Sequence, residues 1–136
     1  MRLSSRETRF ADARRDFHFQ RERLEMRFIQ LAGAQAKPGS PRWADCEFDD
    51  DVSYVRNRYT GALSAFVGAR VYLEGVDESL RADQACGVRE ATAVFRFDGR
   101  RWATDGRAIF NLTPSEAIRF YERDLEMVGQ ELAQRS

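Results

Sequence analysis

The chain has 136 residues, with 22 basic and 22 acidic side chains, one histidine and 43% apolar residues. This length fits one hydrophobic core, so residues 1–136 are predicted to form a single domain. The formal net charge of zero provides no overall positive field, which argues against nucleic acid and against an anionic membrane as partners.

The composition also indicates a compartment. No apolar run approaches the roughly 20 residues that a membrane-spanning helix needs, and the first part of the chain is charged where a secretory leader would be apolar. We therefore expect a cytoplasmic protein. Cys46 and Cys86 lack Cys-x-x-Cys spacing and are expected to be free thiols.

The first predicted element is a long amphipathic helix over 6–34. Its stripe of apolar residues recurs at helical spacing without a proline, at Phe10, Ala13, Phe17, Leu24, Phe28 and Leu31. Phe19, Met26 and Ile29 widen this apolar surface beyond what one side of a small sheet requires. The helix is therefore expected either to have a broad core-facing side or to contact a second protein with part of its surface.

A linker over 35–50 is predicted next, because prolines, a glycine and a serine interrupt the helical pattern. Over residues 51–112 the sequence pattern then predicts a sheet of four antiparallel strands, arranged as two hairpins in a meander. The first hairpin is predicted to turn at 59–61. The second turns at Asp98 and Gly99, a dipeptide that favours a two-residue hairpin loop.

A second helix is predicted over 114–134. Thr113 can accept hydrogen bonds from the first free amides, Pro114 suits the first helical position, and Glu116 can complete a capping box. An apolar stripe follows, formed by Ile118, Tyr121, Leu125, Val128 and Leu132. The predicted fold class is therefore α+β, with a long N-terminal helix, a four-stranded antiparallel meander sheet and a C-terminal helix.

The predicted hairpin registers assign alternate strand residues to two faces of the sheet. One face is the predicted core beneath the helices and includes Phe95, Phe97, Trp102 and Phe110. The opposite face has an apolar centre, whereas a sheet face in contact with water would carry mainly polar residues. The predicted site residues on this face are Tyr54, Phe66, Tyr72, Val94 and Ile109, surrounded by Arg70, Glu90, Arg96, Asp105 and Arg107.

Three aromatic rings, each exposing about 150–250 Å², make this face too apolar to be left in water. Four kinds of cover are expected. The first is one of the protein's own helices, and the second is another copy of the chain or another protein. A small-molecule ligand on a curved sheet is the third, and single-stranded nucleic acid, for which no motif is present, is the weakest.

Motifs that carry catalysis or metal binding are missing. The chain has no phosphate-binding glycine loop and no Gly-x-Ser-x-Gly elbow. The acidic run at Asp49, Asp50 and Asp51 lacks the order of a calcium loop, and His18 lies in no paired Glu-x-x-His pattern. We therefore assign no catalytic residue, no metal and no cofactor.

The leading hypothesis is a small protein-interaction module that forms a homodimer, or binds another protein, through the apolar sheet face or the long helix. The alternative is a small-molecule-binding protein, or a weakly equipped enzyme, that uses the same sheet face as the floor of a pocket. Catalysis would then depend on acid and base groups such as Glu90 and Asp105 beside Tyr54 or Tyr72.

Overall fold

The computed structural model describes residues 5–35, 39, 41–74 and 87–133, with the backbone alone for 5–8. Cys86 lies outside these residues. Within them are helices α1 (Ser5–Ala34) and α2 (Pro114–Phe120) and strands β1 (Trp43–Phe48), β2 (Val52–Asn57), β3 (Leu63–Leu73), β4 (Val88–Phe97), β5 (Trp102–Ala103), β6 (Ala108–Phe110) and β7 (Leu125–Glu131).

The strands form one antiparallel sheet around β3. Strand β4 pairs along one side of β3, whereas β1 and β2 share its other side end to end. Strands β5 and β6 share the far side of β4 in the same way. Strand β7 pairs with the free side of β2. The long strands β3 and β4 therefore form the centre of the sheet, with β1 and β2 end to end on one side and β5 and β6 end to end on the other.

The structure confirms an α+β fold with an N-terminal helix and an antiparallel sheet, but the prediction of four strands is wrong. Part of the predicted linker forms β1, which hydrogen-bonds to β3. The last predicted strand is interrupted between β5 and β6. Residues 104–107 form no regular ladder with β4, although the Val94 amide donates a hydrogen bond to the Arg107 carbonyl at 3.1 Å. A seventh strand, β7, lies where the second half of a helix was expected.

The second helix begins as predicted but ends early. Thr113 accepts a hydrogen bond from the Glu116 amide, and the Glu116 side chain accepts one from the Thr113 amide, which completes the capping box. The helix ends at Phe120, and the chain then turns and pairs with β2 as β7. Gly129 disfavours a helix at this point, and the unpaired side of β2 offers hydrogen bonds that the local apolar pattern does not reveal.

Helix α1 packs on one face of the sheet through one stripe of buried residues: Ala13, Phe17, Leu24, Phe28 and Ala32. The Phe17 ring centroid lies 5.0 Å from that of Trp102, and Phe28 lies 5.9 Å from Phe95. The indole nitrogen of Trp102 donates a 2.8 Å hydrogen bond to the carbonyl of Ala13. Trp102 thus fixes the helix to the sheet by packing and by a hydrogen bond.

The predicted core is confirmed at its centre and wrong at one end. Phe95 and Trp102 are buried, and Phe97 is half-buried against Trp102. Phe110 was expected in the core but is 44% exposed, with its ring edge-on to Trp43. Phe110 is the last residue of the short strand β6.

Helix α2 packs on the opposite face of the sheet, so the fold has three layers. Ala117 of α2 contacts a second buried cluster, which contains Val55, Phe66 and Val94. Half-buried side chains surround this cluster, namely Ile109, Leu112, Ile118 and Leu125. One of the protein's own helices therefore covers the apolar centre of this face.

Gly106 permits the close approach of the β5–β6 connection to the end of α1. Its φ of +80° lies in the left-handed region, which side chains disfavour. A Cβ atom built there would lie 2.7 Å from the Ala32 nitrogen and 2.8 Å from the Leu31 Cβ. The backbones of helix and sheet touch at this point because the residue has no side chain.

Gly106→Ala is expected to lower the free energy of unfolding by about 2–6 kcal/mol, because a positive φ and a close clash each cost about 1–3 kcal/mol. Gly99→Ala is the control, since Gly99 also has a positive φ of +100° but no atom within 4 Å. Urea denaturation of both variants measures the difference. Equal losses would contradict a specific role for the contact with α1.

Candidate functional site

The β2–β3 hairpin places Tyr54 on a different face from the one predicted. The Asn57 amide donates to the Ala62 carbonyl at 2.8 Å, so four residues, 58–61, form the loop instead of three. Tyr54 therefore pairs with Ala65 and not with Phe66. A shift of one residue exchanges the faces of a strand. The prediction for Tyr54 is wrong, because its side chain lies in the main core beneath α1.

Phe66, Val94 and Ile109 lie on the predicted face, but the first two are not exposed. Phe66 is 4% and Val94 2% accessible beneath α2, and Ile109 is half-buried at the edge of the same cluster. Helix α2 thus occupies the place where an open surface was expected. A role of these residues in binding stays a prediction.

The remaining predicted residues lie in separate exposed groups. At one end of the sheet, the Tyr72 hydroxyl donates to Glu47 at 3.1 Å, and Arg70 lies 3.5 Å from the same carboxylate. Glu90 is the cross-strand neighbour of Arg70. Nearer to α2, Arg96 lies 3.9 Å from Asp105, and the Arg107 guanidinium lies 6.0 Å from the ring centroid of Tyr121. The structure does not bring the ten predicted residues together as one site.

A polar cluster that the sequence did not predict joins α1 to the last strand. The Glu131 carboxylate of β7 accepts a 2.8 Å hydrogen bond from Arg14 Nε and a short one from His18 Nε2. The Arg14 guanidinium also lies 5.6 Å from the ring centroid of Tyr54. Glu131 was assigned to a helix from the sequence, so its meeting with α1 depends on a strand that was not foreseen.

The electrostatics of this cluster follow from its burial. Burial alone would raise the pKa of Glu131, but the hydrogen bonds from Arg14 and His18 outweigh it and hold this pKa below its usual value. Burial, together with the nearby Glu131 carboxylate, raises the pKa of Tyr54. Although Glu131 is close, the Tyr54 hydroxyl makes no hydrogen bond within 3.5 Å to any described residue. Glu131 is therefore the charged centre that ties β7 to the helix.

The candidate nucleophile and metal ligands in the described part of the chain are Cys46 and the histidine and acidic side chains. Cys46 is a free, buried cysteine, and burial raises the pKa of its thiol to about 12. The thiolate, which is the nucleophile and metal ligand, is therefore scarce at neutral pH. Among the residues described, no group of three histidine, cysteine or acidic side chains is arranged to hold a metal ion.

The outer face of α1, opposite its buried stripe, carries two exposed large apolar side chains. Phe19 is 82% and Met26 60% accessible, and they lie seven positions apart, which places them on one line along the helix. Charged side chains flank this line. We define the outer face of α1 as Arg15, Asp16, Phe19, Glu22, Arg23 and Met26.

The charged side chains of the outer face make few ion pairs or hydrogen bonds with other described residues of the chain. Arg15 lies 3.6 Å from Asp12 one turn earlier, in a pair that is more than half exposed on both sides. Arg23 donates to Gln20. Asp16 and Glu22 form no hydrogen bond or ion pair with any residue that the structure describes. These groups keep their capacity to pair with a partner.

A groove runs between the first half of α1 and the tips of the two hairpins, with a volume of about 1020 Å³. Its floor includes the apolar side chains of Phe10, Leu63 and Phe97. Its rim carries charged residues of both signs, namely Arg9, Asp12, Arg15, Asp16, Arg56, Asp98 and Arg100. Arg15, Asp16 and Phe19 line the groove and also belong to the outer face of α1, so the two surfaces overlap.

Comparison of the chain with protein-family models, with curated proteins and with solved structures finds no match. None of the helices that the structure describes has the length and apolar content needed to cross a bilayer. Functional inference for this protein therefore depends on its own surfaces.

At neutral pH, Glu131→Gln is expected to lower the free energy of unfolding by about 1–2 kcal/mol, because the amide loses charge-assisted hydrogen bonds. The folded pKa of Glu131 lies below the usual 4.5, so this contribution exists above that value and is lost as the pH falls. Urea denaturation from about pH 7 to about pH 3 should show the two proteins converging in acid.

Glu126→Gln is the matched control on the same strand, because Glu126 pairs with Arg58 at 3.3 Å and both side chains are 45% exposed. Its effect should stay below about 1 kcal/mol at every pH. A Glu131→Gln effect that does not change with pH would contradict the electrostatic role of Glu131.

Proposed function

We propose that this chain is a small protein-interaction module that self-associates as a homodimer through the outer face of α1. The exposure of Phe19 and Met26, 82% and 60%, on the side of a 30-residue helix away from the core is the observation that carries this proposal. A cytoplasmic location, expected from the composition, is part of it.

The outer face combines high exposure with a rigid backbone, whereas Phe110 and Met127, which lie on strands, are less exposed at 44% and 50%. Tyr59 lies in a hairpin loop, Phe120 is the last residue of α2, and Leu132 follows β7. Phe19 and Met26 instead share one long helix that is anchored to the sheet through Phe17 and Trp102. A rigid surface loses less conformational entropy when it binds.

The expected affinity is modest. Each fully buried phenylalanine or methionine contributes about 1.5–3 kcal/mol, so two from each copy give about 6–12 kcal/mol. Association costs about 4–15 kcal/mol in lost translational and rotational freedom. The dimer should therefore depend on protein concentration and on the flanking charges.

The test is the molar mass in solution, measured by light scattering over a range of concentrations. The wild type is expected to approach twice the chain mass of 15.7 kDa. Phe19→Glu is expected to remain folded by circular dichroism and to be monomeric, because it places a carboxylate in the interface. Phe120→Glu is the matched control, because Phe120 is 72% exposed and lies on a different helix.

A wild type that stays monomeric at high concentration would refute self-association. A dimer that Phe120→Glu abolishes and Phe19→Glu does not would place the interface on α2.

The groove beside α1 supports a second candidate, the binding of a small apolar anion. Its apolar floor, with two phenylalanines, and its four rim arginines, which outnumber the three rim aspartates, suit an aromatic carboxylate. This site differs from the sheet face expected from the sequence, whose centre lies beneath α2.

Aromatic carboxylates are expected to raise the thermal midpoint of the wild type more than that of Arg100→Glu. Arg101→Glu is the control, since Arg101 is adjacent in sequence but does not line the groove. Equal shifts in all three proteins would exclude specific binding in the groove.

A further inference from the structure

The order of charges along the outer face of α1 is complementary to a second copy of itself. Residues seven apart lie almost two full helical turns apart and share one flank. Arg15 and Glu22 therefore lie on one flank of the line through Phe19 and Met26, and Asp16 and Arg23 lie on the other. Each flank carries one positive and one negative group, in opposite order.

We propose that α1 pairs in parallel and in register with α1 of a second copy, a proposal that rests on the self-association proposed above. The two copies are then related by a twofold axis parallel to the helices. This axis brings the Arg15–Glu22 flank of one copy against the Asp16–Arg23 flank of the other, at the same height along the helices. Arg15 then faces Asp16 of the second copy, and Glu22 faces Arg23. Unlike charges meet at all four positions of the symmetric pair.

The same arrangement matches the apolar residues. Phe19 contacts Phe19 of the second copy and Met26 contacts Met26, so both exposed apolar side chains are covered by apolar ones. Charged layers and apolar layers alternate along the helix pair. Asp12 faces its own equivalent, but its charge is offset by Arg15 at 3.6 Å in the same chain.

Antiparallel pairing satisfies only part of the pattern. An axis at Phe19 would pair Arg15 with Glu22 and Asp16 with Arg23, but it would place Met26 against the charged Asp12. An axis midway between Phe19 and Met26 would join these two apolar residues. In an antiparallel pair, each flank contacts the same flank of the partner. This second axis would therefore also bring Glu22 against Glu22 and Arg23 against Arg23. Only the parallel arrangement matches both charge and apolarity.

The test is charge reversal, read out as the dimer dissociation constant. Glu22→Arg and Arg23→Glu are each expected to weaken the dimer about tenfold, because two attractions of a few tenths of a kcal/mol become repulsions. The double variant Glu22→Arg/Arg23→Glu is expected to recover to within about threefold of the wild type. An equimolar mixture of the two single variants should form a heterodimer in preference to either homodimer. High salt should reduce all of these differences.

The double variant separates the orientations. With the antiparallel axis at Phe19, the positive charge introduced at position 22 would face Arg15, and the negative charge introduced at position 23 would face Asp16. The double variant would then be no better than the single variants. In that arrangement Arg15→Glu/Glu22→Arg would recover instead. Recovery of this second double variant, with none of the first, would overturn the parallel proposal.

Crosslinking gives an independent readout. Gln30→Cys, in a chain with Cys86→Ser, places a thiol on the same line beyond Met26, while the native Cys46 is buried. In the parallel pair the two new thiols are adjacent, and mild oxidation should give a covalent dimer. An antiparallel pair separates them by several turns, and no covalent dimer should form.

The outcomes distinguish this inference from the proposed function. A wild-type dimer that Phe19→Glu dissociates, but that the charge reversals leave unchanged, would overturn the parallel register and leave self-association through α1 intact. A monomeric wild type would overturn both. All variants are checked by circular dichroism, and the substituted positions in α1 lie away from its buried stripe.

Discussion

Four residues close the β2–β3 hairpin, and the rest of the structure depends on the register that this loop sets. With Tyr54 opposite Ala65, alternate residues of β2 turn towards α1 and towards α2. Tyr54 then lies in the main core against Phe17, and Val55 joins the smaller core beneath α2. A loop one residue shorter would exchange these two sets, and each helix would lose its apolar partners in β2.

The division of apolar residues between layers determines which surface remains for a partner. Helix α2 covers the centre of one sheet face, and the buried stripe of α1 covers the other. Phe19 and Met26 lie on the far side of α1, and no element of the described chain covers them. The apolar surplus expected from the sequence is therefore concentrated on a helix whose flanking charges have few partners of their own.

Local signals in the sequence were sufficient for much of the fold. The Asp98-Gly99 dipeptide correctly placed the second hairpin, and the capping box correctly began α2. The expected pairing of Phe95 with Trp102 is wrong, because Trp102 pairs with Phe97. This shift of two residues keeps both side chains on the predicted face. Tyr54 was misplaced because loop length depends on side-chain and backbone hydrogen bonds around Asn57 that composition does not reveal. Glu131 was missed because β7 forms only when β2 offers its free side. The sequence singled out Phe19, Met26 and Ile29 as extra apolar residues of α1. Only the structure shows that Phe19 and Met26 are exposed, whereas Ile29 packs against the main core.

The ion pair between Arg14 and Glu131 joins residues that are 117 positions apart in sequence. During synthesis, α1 emerges long before the strand that carries its carboxylate partner. Folds with such distant contacts close large loops late and tend to fold in milliseconds to seconds. Until β7 is docked, the side of α1 around Phe10 and Arg14 remains uncovered. The time between translation and closure is therefore the interval in which a nascent chain most needs protection from aggregation.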